Sequence, residues 1–280
     1  MESTSRNQRF EKEAEKLRAA RKRELYIAVL MGAGSILAFL LIWQLLCSMG
    51  IVDSRLLASP IEVIRAIFVK VTDPRPDGNT LFANIFASFK LALYGFMLAL
   101  VIGLPMGLLM GWYRPFDKLV RPIFEIIRPL PPIAWIPIII VLLGIGTVAK
   151  SFIIFFTTFV PIVINSYTGI RETSQVHINF AKTCGYSNWK IFLTVGIPSA
   201  MPLTFAGMVI ALGNGWGTLI AAEMLAANKG MGYMIMMGRN YGRIDIIIAG
   251  MLVIGLIGLL LTGLIGKLEN VVLKWRVKSR

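Results

Sequence analysis

Few side chains in this sequence have a type and spacing that could do chemistry, and most of them occur singly. Gly213, Gly215 and Gly217 form a GxGxG run. No strand precedes it and no ribose-binding acid is in place, so a dinucleotide turn is excluded. The single histidine, His177, has no cysteine or carboxylate partners at ligand spacing and reads as a solvated loop residue, not a metal ligand. Cys47 lies in an apolar run and Cys184 in a polar one, which places them at different sides or depths and argues against a disulfide. Glu223 ends an apolar run. A carboxylate there either reaches water or serves a function, because burial costs a few kcal/mol. Lys90 and Arg128 are the cations inside apolar runs. Lys90 is close enough to a span end to extend to headgroups, and Arg128 can pair with Glu125 three residues earlier. No Gly-x4-Gly-Lys-Ser/Thr phosphate loop occurs, so ATP chemistry has no place on this chain. No residue is assigned a catalytic role, and none a metal.

These residues are embedded in apolar runs that must cross a bilayer. Of 280 residues, 56% are hydrophobic and only 16% charged, against about 25% charged in soluble domains. The expected fold is all-α and polytopic, with about six transmembrane helices. The formal net charge of +14 does not indicate nucleic acid: Lys and Arg crowd at the ends of apolar runs and form no stripe interleaved with aromatics.

In chain order, residues 1-24 read as a charged cytoplasmic helix and 25-49 as the first span. Residues 50-80 form an external segment in which Ser59 caps a helix starting at Pro60, with Ile61, Ile64, Ile67, Phe68 and Val71 on one face. Residues 81-266 hold five further spans, and 267-280 a basic cytoplasmic tail. Nineteen of the 29 Lys and Arg fall on the side that holds both termini, against eight on the other, so both termini are expected to be cytoplasmic. Tyr113 to Lys118 is expected as a short inner turn, and 226-243 as an outer loop broken by Gly230, Gly232 and Gly238.

Two patterns within the spans carry mechanical meaning. Gly103, Gly107 and Gly111 recur every fourth residue and bare one helix face for packing. Pro129, Pro131, Pro132 and Pro137 cannot sit in an unbroken helix. Irregular backbone at membrane depth must lie against protein or a water-filled cavity. Arg128, Pro131, Pro132, Trp135, Pro137 and Glu223 are therefore the candidates for lining a translocation path; a structural kink is the alternative for the proline segment.

Between the fourth and fifth spans lies a polar island, residues 171-200, of helix-forming composition. Such a segment between two spans is offered to something in water. Its pattern resembles the permease signature of ABC importers. Ala181 stands at the second Ala of the Glu-Ala-Ala element, Gly185 four residues later, and Val195, Ile197 and Pro198 at the Ile, Leu and Pro positions. Asn179 and Phe180 depart from the Glu and the first Ala. Ser59 to Val63, Gly103 to Gly107, Arg128 to Pro137 and Ala221 to Met224 resemble the nitrate/sulfonate/taurine/bicarbonate branch.

The resemblance implies a type I importer permease in the bacterial inner membrane, working as a homodimer with two ABC ATPase subunits and an external substrate-binding protein. ATP and Mg would be used by the ATPase subunits, and no cofactor would be bound by this chain. The 171-200 loop would be the coupling segment, with Asn179, Phe180, Ala181, Lys182, Gly185, Tyr186, Ser187, Ile197 and Pro198 at the ATPase contact. The rival class is an ion-coupled secondary transporter or channel, which would need titratable relays near midplane.

Overall fold

The structure, a computed structural model, describes residues 2-274 apart from Val52, Ser54, Arg55 and Ile145; for residues 2-22, Leu25 and Ala226 only the backbone is described. Residues 275-280 of the basic tail, and the side chains of the charged N-terminal segment up to Lys22, lie outside the described residues. All regular elements among the described residues are helical. The chain divides into two compact units, residues 1-64 and 65-280.

In the first unit, α1 (Glu2–Ser48) is one continuous helix joining the charged segment to the first apolar run. Its Tyr26–Ser48 portion is long and apolar enough to cross a membrane. The start of α2 (Pro60–Thr72) is a capping box. The Ser59 backbone N–H donates to Glu62 Oε2 at 2.7 Å, and the Glu62 N–H donates to Ser59 Oγ at 3.3 Å.

The second unit is built on three long helices: α3 (Leu81–Trp112), α6 (Thr147–Arg171) and α9 (Ile197–Ala226). α6 packs against α3 on one side and α9 on the other. Glycines set the distance. A Cβ at Gly107 would stand 2.6 Å from the Val163 carbonyl oxygen, and one at Gly111 2.8 Å from Ile170. Gly103 meets Phe159 in the same row. Across the other interface, Gly169 of α6 lies against Ala200, and Gly207 of α9 against Asn165. Backbones this close gain dispersion contacts that larger side chains would prevent. Gly107→Leu is expected to push α3 off α6 and lower stability by about 2-4 kcal/mol; thermal unfolding in detergent checks this, with Gly213→Ala, which meets open space, as the control.

α4 (Arg114–Ile127) begins one residue after α3 ends, so Tyr113 alone is the turn expected over 113-118. Pro115 suits this early helical position. The chain then breaks at Arg128–Pro131, passes through a 3₁₀ turn (Pro132–Trp135) and continues as α5 (Ile136–Leu143). The two helical pieces are bent by 81°. The missing proline N–H groups and the ring clashes impose the break.

α10 (Met231–Asn240) corrects the expected outer loop: it packs on α9 and on α11 (Ile244–Val272). Gly232 and Gly238 lie inside this helix as points of close approach, to the Ile220 carbonyl and to Ile247, not as breakers. The apolar face expected on α2 is also displaced. Ala66 and Lys70 are buried and Ile67 and Val71 half-buried, while Ile64 and Phe68 stay exposed. Lys70 is drawn inward because its ammonium finds an unusually complete set of acceptors, described below.

Candidate functional site

α7 (Gln175–Thr183) and α8 (Asn188–Ile191) form the polar island. α7 stops because Gly185 takes φ +79°, a conformation that costs glycine little. The Gly185 N–H donates to the Lys182 carbonyl at 2.9 Å, and the Tyr186 N–H reaches back to the Ala181 carbonyl at 3.1 Å. This is a Schellman cap, and it explains the four-residue step from Ala181 to Gly185: the alanine is three positions before the cap residue and the glycine one after it. Ser187 then caps α8, its Oγ accepting from the Lys190 N–H at 3.3 Å.

One side of this pair is anchored. Ile178, Ala181 and Ile191 are buried together with half-buried Trp112 and Val195. Buried Phe192 has the rings of Trp112, Tyr113 and Trp189 at 5.5, 5.9 and 5.4 Å. The other side carries apolar groups into the open: Val176 is 74% exposed, Phe180 71% and Trp189 54%. Tyr186 is also exposed, with the Lys190 ammonium 4.0 Å from its ring centre. A groove of about 520 Å³ runs between His177, Phe180, Cys184, Tyr186, Val195 and Pro198. Asn179, Lys182 and Ser187 are exposed; Ile197 and Pro198 are half-buried at the start of α9.

α8 continues without interruption into α9 through a π turn, Phe192–Gly196. Pro198 has no N–H for the Thr194 carbonyl and would crowd it; the wider turn relieves that crowding. Trp189 therefore stands at one end of a helical rod running from Asn188 to Leu225, and α7, which carries Val176 and Phe180, packs on that end through Ile178, Ala181 and Ile191.

A second cavity, about 520 Å³, opens at the broken helix. Arg128, Pro132 and Ile133 line one wall and Thr157, Asn214 and Thr218 the other. Gly213 and Gly217 face this space, whereas Gly215, on the opposite side of α9, packs on Thr158. The GxGxG run thus serves two surfaces at once. Arg128 Nη1 lies 3.4 Å from Glu125 Oε2. Trp135 is turned onto Phe156, with ring centres 5.5 Å apart, and Pro131 and Pro137 are exposed but do not line the cavity.

Glu223 is elsewhere. Its side chain is fully buried, so the alternative in which it reaches water is removed. The Ser88 hydroxyl lies 2.7 and 2.8 Å from its two carboxylate oxygens, and the Gly232 N–H donates to it at 2.9 Å. Ser88 Oγ also accepts from the Met231 N–H at 2.8 Å, and Asn84 Oδ1 from the Gly230 N–H at 3.0 Å. Three successive backbone donors at the start of α10 are thereby satisfied by side chains of α3 and α9. Asn84 Nδ2 donates to Asp77 at 2.7 Å, and Asp77 pairs with Lys70. Lys70 also donates to the carbonyls of Pro74, Arg75 and Asn79 at 2.8-3.0 Å. Outside this buried cluster, the Arg75 side chain hydrogen-bonds Asp73 and holds its carboxyl down at about 2. Lys70, Asp77, Asn84 and Ser88 were not legible as a site. The signal present was Asn84 and Ser88, polar residues four apart at the head of an apolar helix.

The family model for the binding-protein-dependent transport system inner membrane component matches residues 99–274. The chain is 34% identical over 249 residues to the nitrate import permease protein NrtB of Synechocystis, covering 88% of this chain and 90% of that one. It is 29% identical over 250 residues to the taurine transport system permease protein TauC of Escherichia coli, with the same 88% and 90% coverage. Among solved structures, the MetNI methionine ABC transporter in its inward-facing conformation superposes with a TM-score of 0.59 at 20% identity, covering 69% of this chain and 95% of that one. That likeness concerns the fold. The multi-pass inner-membrane architecture, the Ala181–Gly185 cap and these matches identify the chain as a member of the binding-protein-dependent inner-membrane component family, the permease subunits of ABC importers.

Proposed function

We propose that this permease passes a small oxyanion, of the nitrate, sulfonate, taurine or bicarbonate kind or a related small organic acid, from an external binding protein into the cytoplasm. Two ATPase subunits would supply the force, with ATP and Mg held on those chains. A second copy of this chain would complete the path, and both termini would lie on the ATPase side. The solute class is carried over from the nitrate and taurine relatives.

The observation that carries the coupling role is the apolar crest of Val176, Phe180, Tyr186 and Trp189 beside the α7–α8 groove, with α7 packed on α8 and α8 continuous with α9. Exposed aromatics clustered on a rigid support are the anchors that a partner's pocket takes up. Pushing the crest moves α8, the π turn and α9 as one rod, and with them the Gly213–Gly217 wall of the Arg128 cavity. This is alternating access driven from one end. Arg128, Asn214, Thr157 and Thr218 offer an anion a passing cation and polar groups, with Glu125 keeping the site weak enough to release it.

A photoreactive residue at Tyr186 or Ser187 is expected to capture an ATPase chain in membranes, in higher yield with nucleotide than without. Capture of no ATPase chain from either position would sink the coupling role.

A further inference from the structure

A third cavity, about 500 Å³, lies on the opposite face of α7 from the apolar groove. Arg114 of α4, Arg171 of α6 and Lys182 of α7 line it, with Thr173, Gln175 and Asn188. Among the described residues none of these three cations is in an ion pair. Neither neighbouring carboxylate lines the pocket: Asp117 lies 3.6 Å from Arg121 without a hydrogen bond to it, and Glu172 is exposed. Thr173 is 5% exposed, and its hydroxyl has no hydrogen-bond partner. Beside it, Ser174 makes no side-chain cap bond to α7, so the first N–H groups of that helix are uncapped, and Thr173 and Gln175 flank them.

Three exposed lining cations, one of them (Arg171) also 6.0 Å from the Tyr167 ring centre, with an idle buried hydroxyl and an uncapped helix N-terminus, are the donors an anion needs. Their number exceeds what the two oxygens of a carboxylate use well and suits the several oxygens of a phosphate. The level of the site names the source. Trp112 and Arg171, both lining residues, end α3 and α6, which are long and apolar enough to span a bilayer. A pocket at the ends of two spans sits among headgroups. We infer that this pocket binds the phosphate of an anionic phospholipid and ties the base of α7 to the adjoining leaflet. The inference rests on the membrane-spanning reading of α3 and α6, not on the ATPase contact.

The test is native mass spectrometry of the delipidated full-length chain in detergent, titrated with phosphatidylglycerol, phosphatidylcholine or inorganic phosphate. Phosphatidylglycerol is expected to bind at least about tenfold more tightly than phosphatidylcholine. Arg114→Gln with Arg171→Gln should remove that preference. Thr173→Val, nearly the same shape, should weaken it about threefold to tenfold, while Lys118→Gln changes nothing. Thermal unfolding of each variant confirms that it is folded. Equal lipid binding by the wild type and the Arg114/Arg171 double variant overturns the proposal. Binding of inorganic phosphate without lipid overturns the lipid assignment in favour of the free ion. A double variant that keeps its lipid but no longer co-purifies with an ATPase would show that a partner's acidic group uses the pocket, and would overturn it as well. Photocapture at Tyr186 reads the other face of α7, so failure of the lipid site and failure of the coupling role remain separable.

Discussion

Phe180→Asp is expected to abolish solute-dependent ATP hydrolysis and uptake while leaving the permease folded and inserted. Phe180 is 71% exposed and lines the α7–α8 groove, so its replacement removes little from the chain's own packing. Docked in a partner's apolar pocket, the ring would contribute about 2-3 kcal/mol. An unpaired carboxylate placed there costs several kcal/mol more. The combined loss corresponds to a thousandfold or greater weakening of the contact by the usual relation of about 1.4 kcal/mol per factor of ten. Binding of the ATPase to the purified permease measures it directly, and uptake in membrane vesicles follows. Ordinary uptake by the variant would remove Phe180 from the contact.

Two companions separate chemistry from shape. Gly185→Val leaves every exposed side chain in place but forces a β-branched residue to a positive φ, where its Cβ meets open space yet its backbone is strained. It should loosen the Schellman cap and reduce coupling, and Gly185→Asn should be milder because asparagine tolerates that region. Asn179→Glu restores the signature's acid at an exposed position. It should leave stability within about 0.5 kcal/mol, so any change in coupling would come from the partner.

The parts of this molecule that could be read from sequence are those governed by local rules. Span length follows from apolar run length, the break after Ile127 from proline chemistry, the start of α2 from Ser59 and Pro60, and the α3 packing face from glycines four apart. Elsewhere local rules leave two structures open. Gly232 and Gly238 have the same composition signal whether they break a helix or let it approach a neighbour, and only the presence of α9 and α11 decides between the two. The spacing of Ile61, Ile64, Ile67, Phe68 and Val71 points to one apolar face of α2, yet Lys70 is buried because loop carbonyls and Asp77 surround its ammonium. The cluster around Glu223 depends on partners 135-146 residues apart, such as Ser88 with Glu223 and Asn84 with Gly230. No spacing rule reaches that far. The Arg128 cavity was half legible: the proline break announced one wall, but Asn214, Thr157 and Thr218 join it only through tertiary packing.

Glu223→Ala is expected to be among the most destabilising single changes in the chain. It strips the acceptor from the Gly232 N–H and the Ser88 hydroxyl in a fully buried site and leaves a cavity where the side chain stood. Each orphaned donor costs about 1-3 kcal/mol, and the lost volume adds to this. A loss of roughly 3-5 kcal/mol is expected, read as a lowered unfolding temperature in detergent. Glu223→Gln keeps the shape and one acceptor oxygen, so it should cost less. Ser88→Ala in the Glu223→Gln background should cost less than in the wild type, because the two side chains share one set of hydrogen bonds. Gly230→Ala attacks the same joint from the other side: φ is +126°, and the added methyl would collide with the Glu223 carboxylate. If Glu223 instead handled solute, Glu223→Gln would keep the wild-type unfolding temperature and lose uptake. The packing predicts the reverse: a lower unfolding temperature, with the molecules that remain folded still transporting, because this carboxylate fastens the head of α10 to α3 and α9.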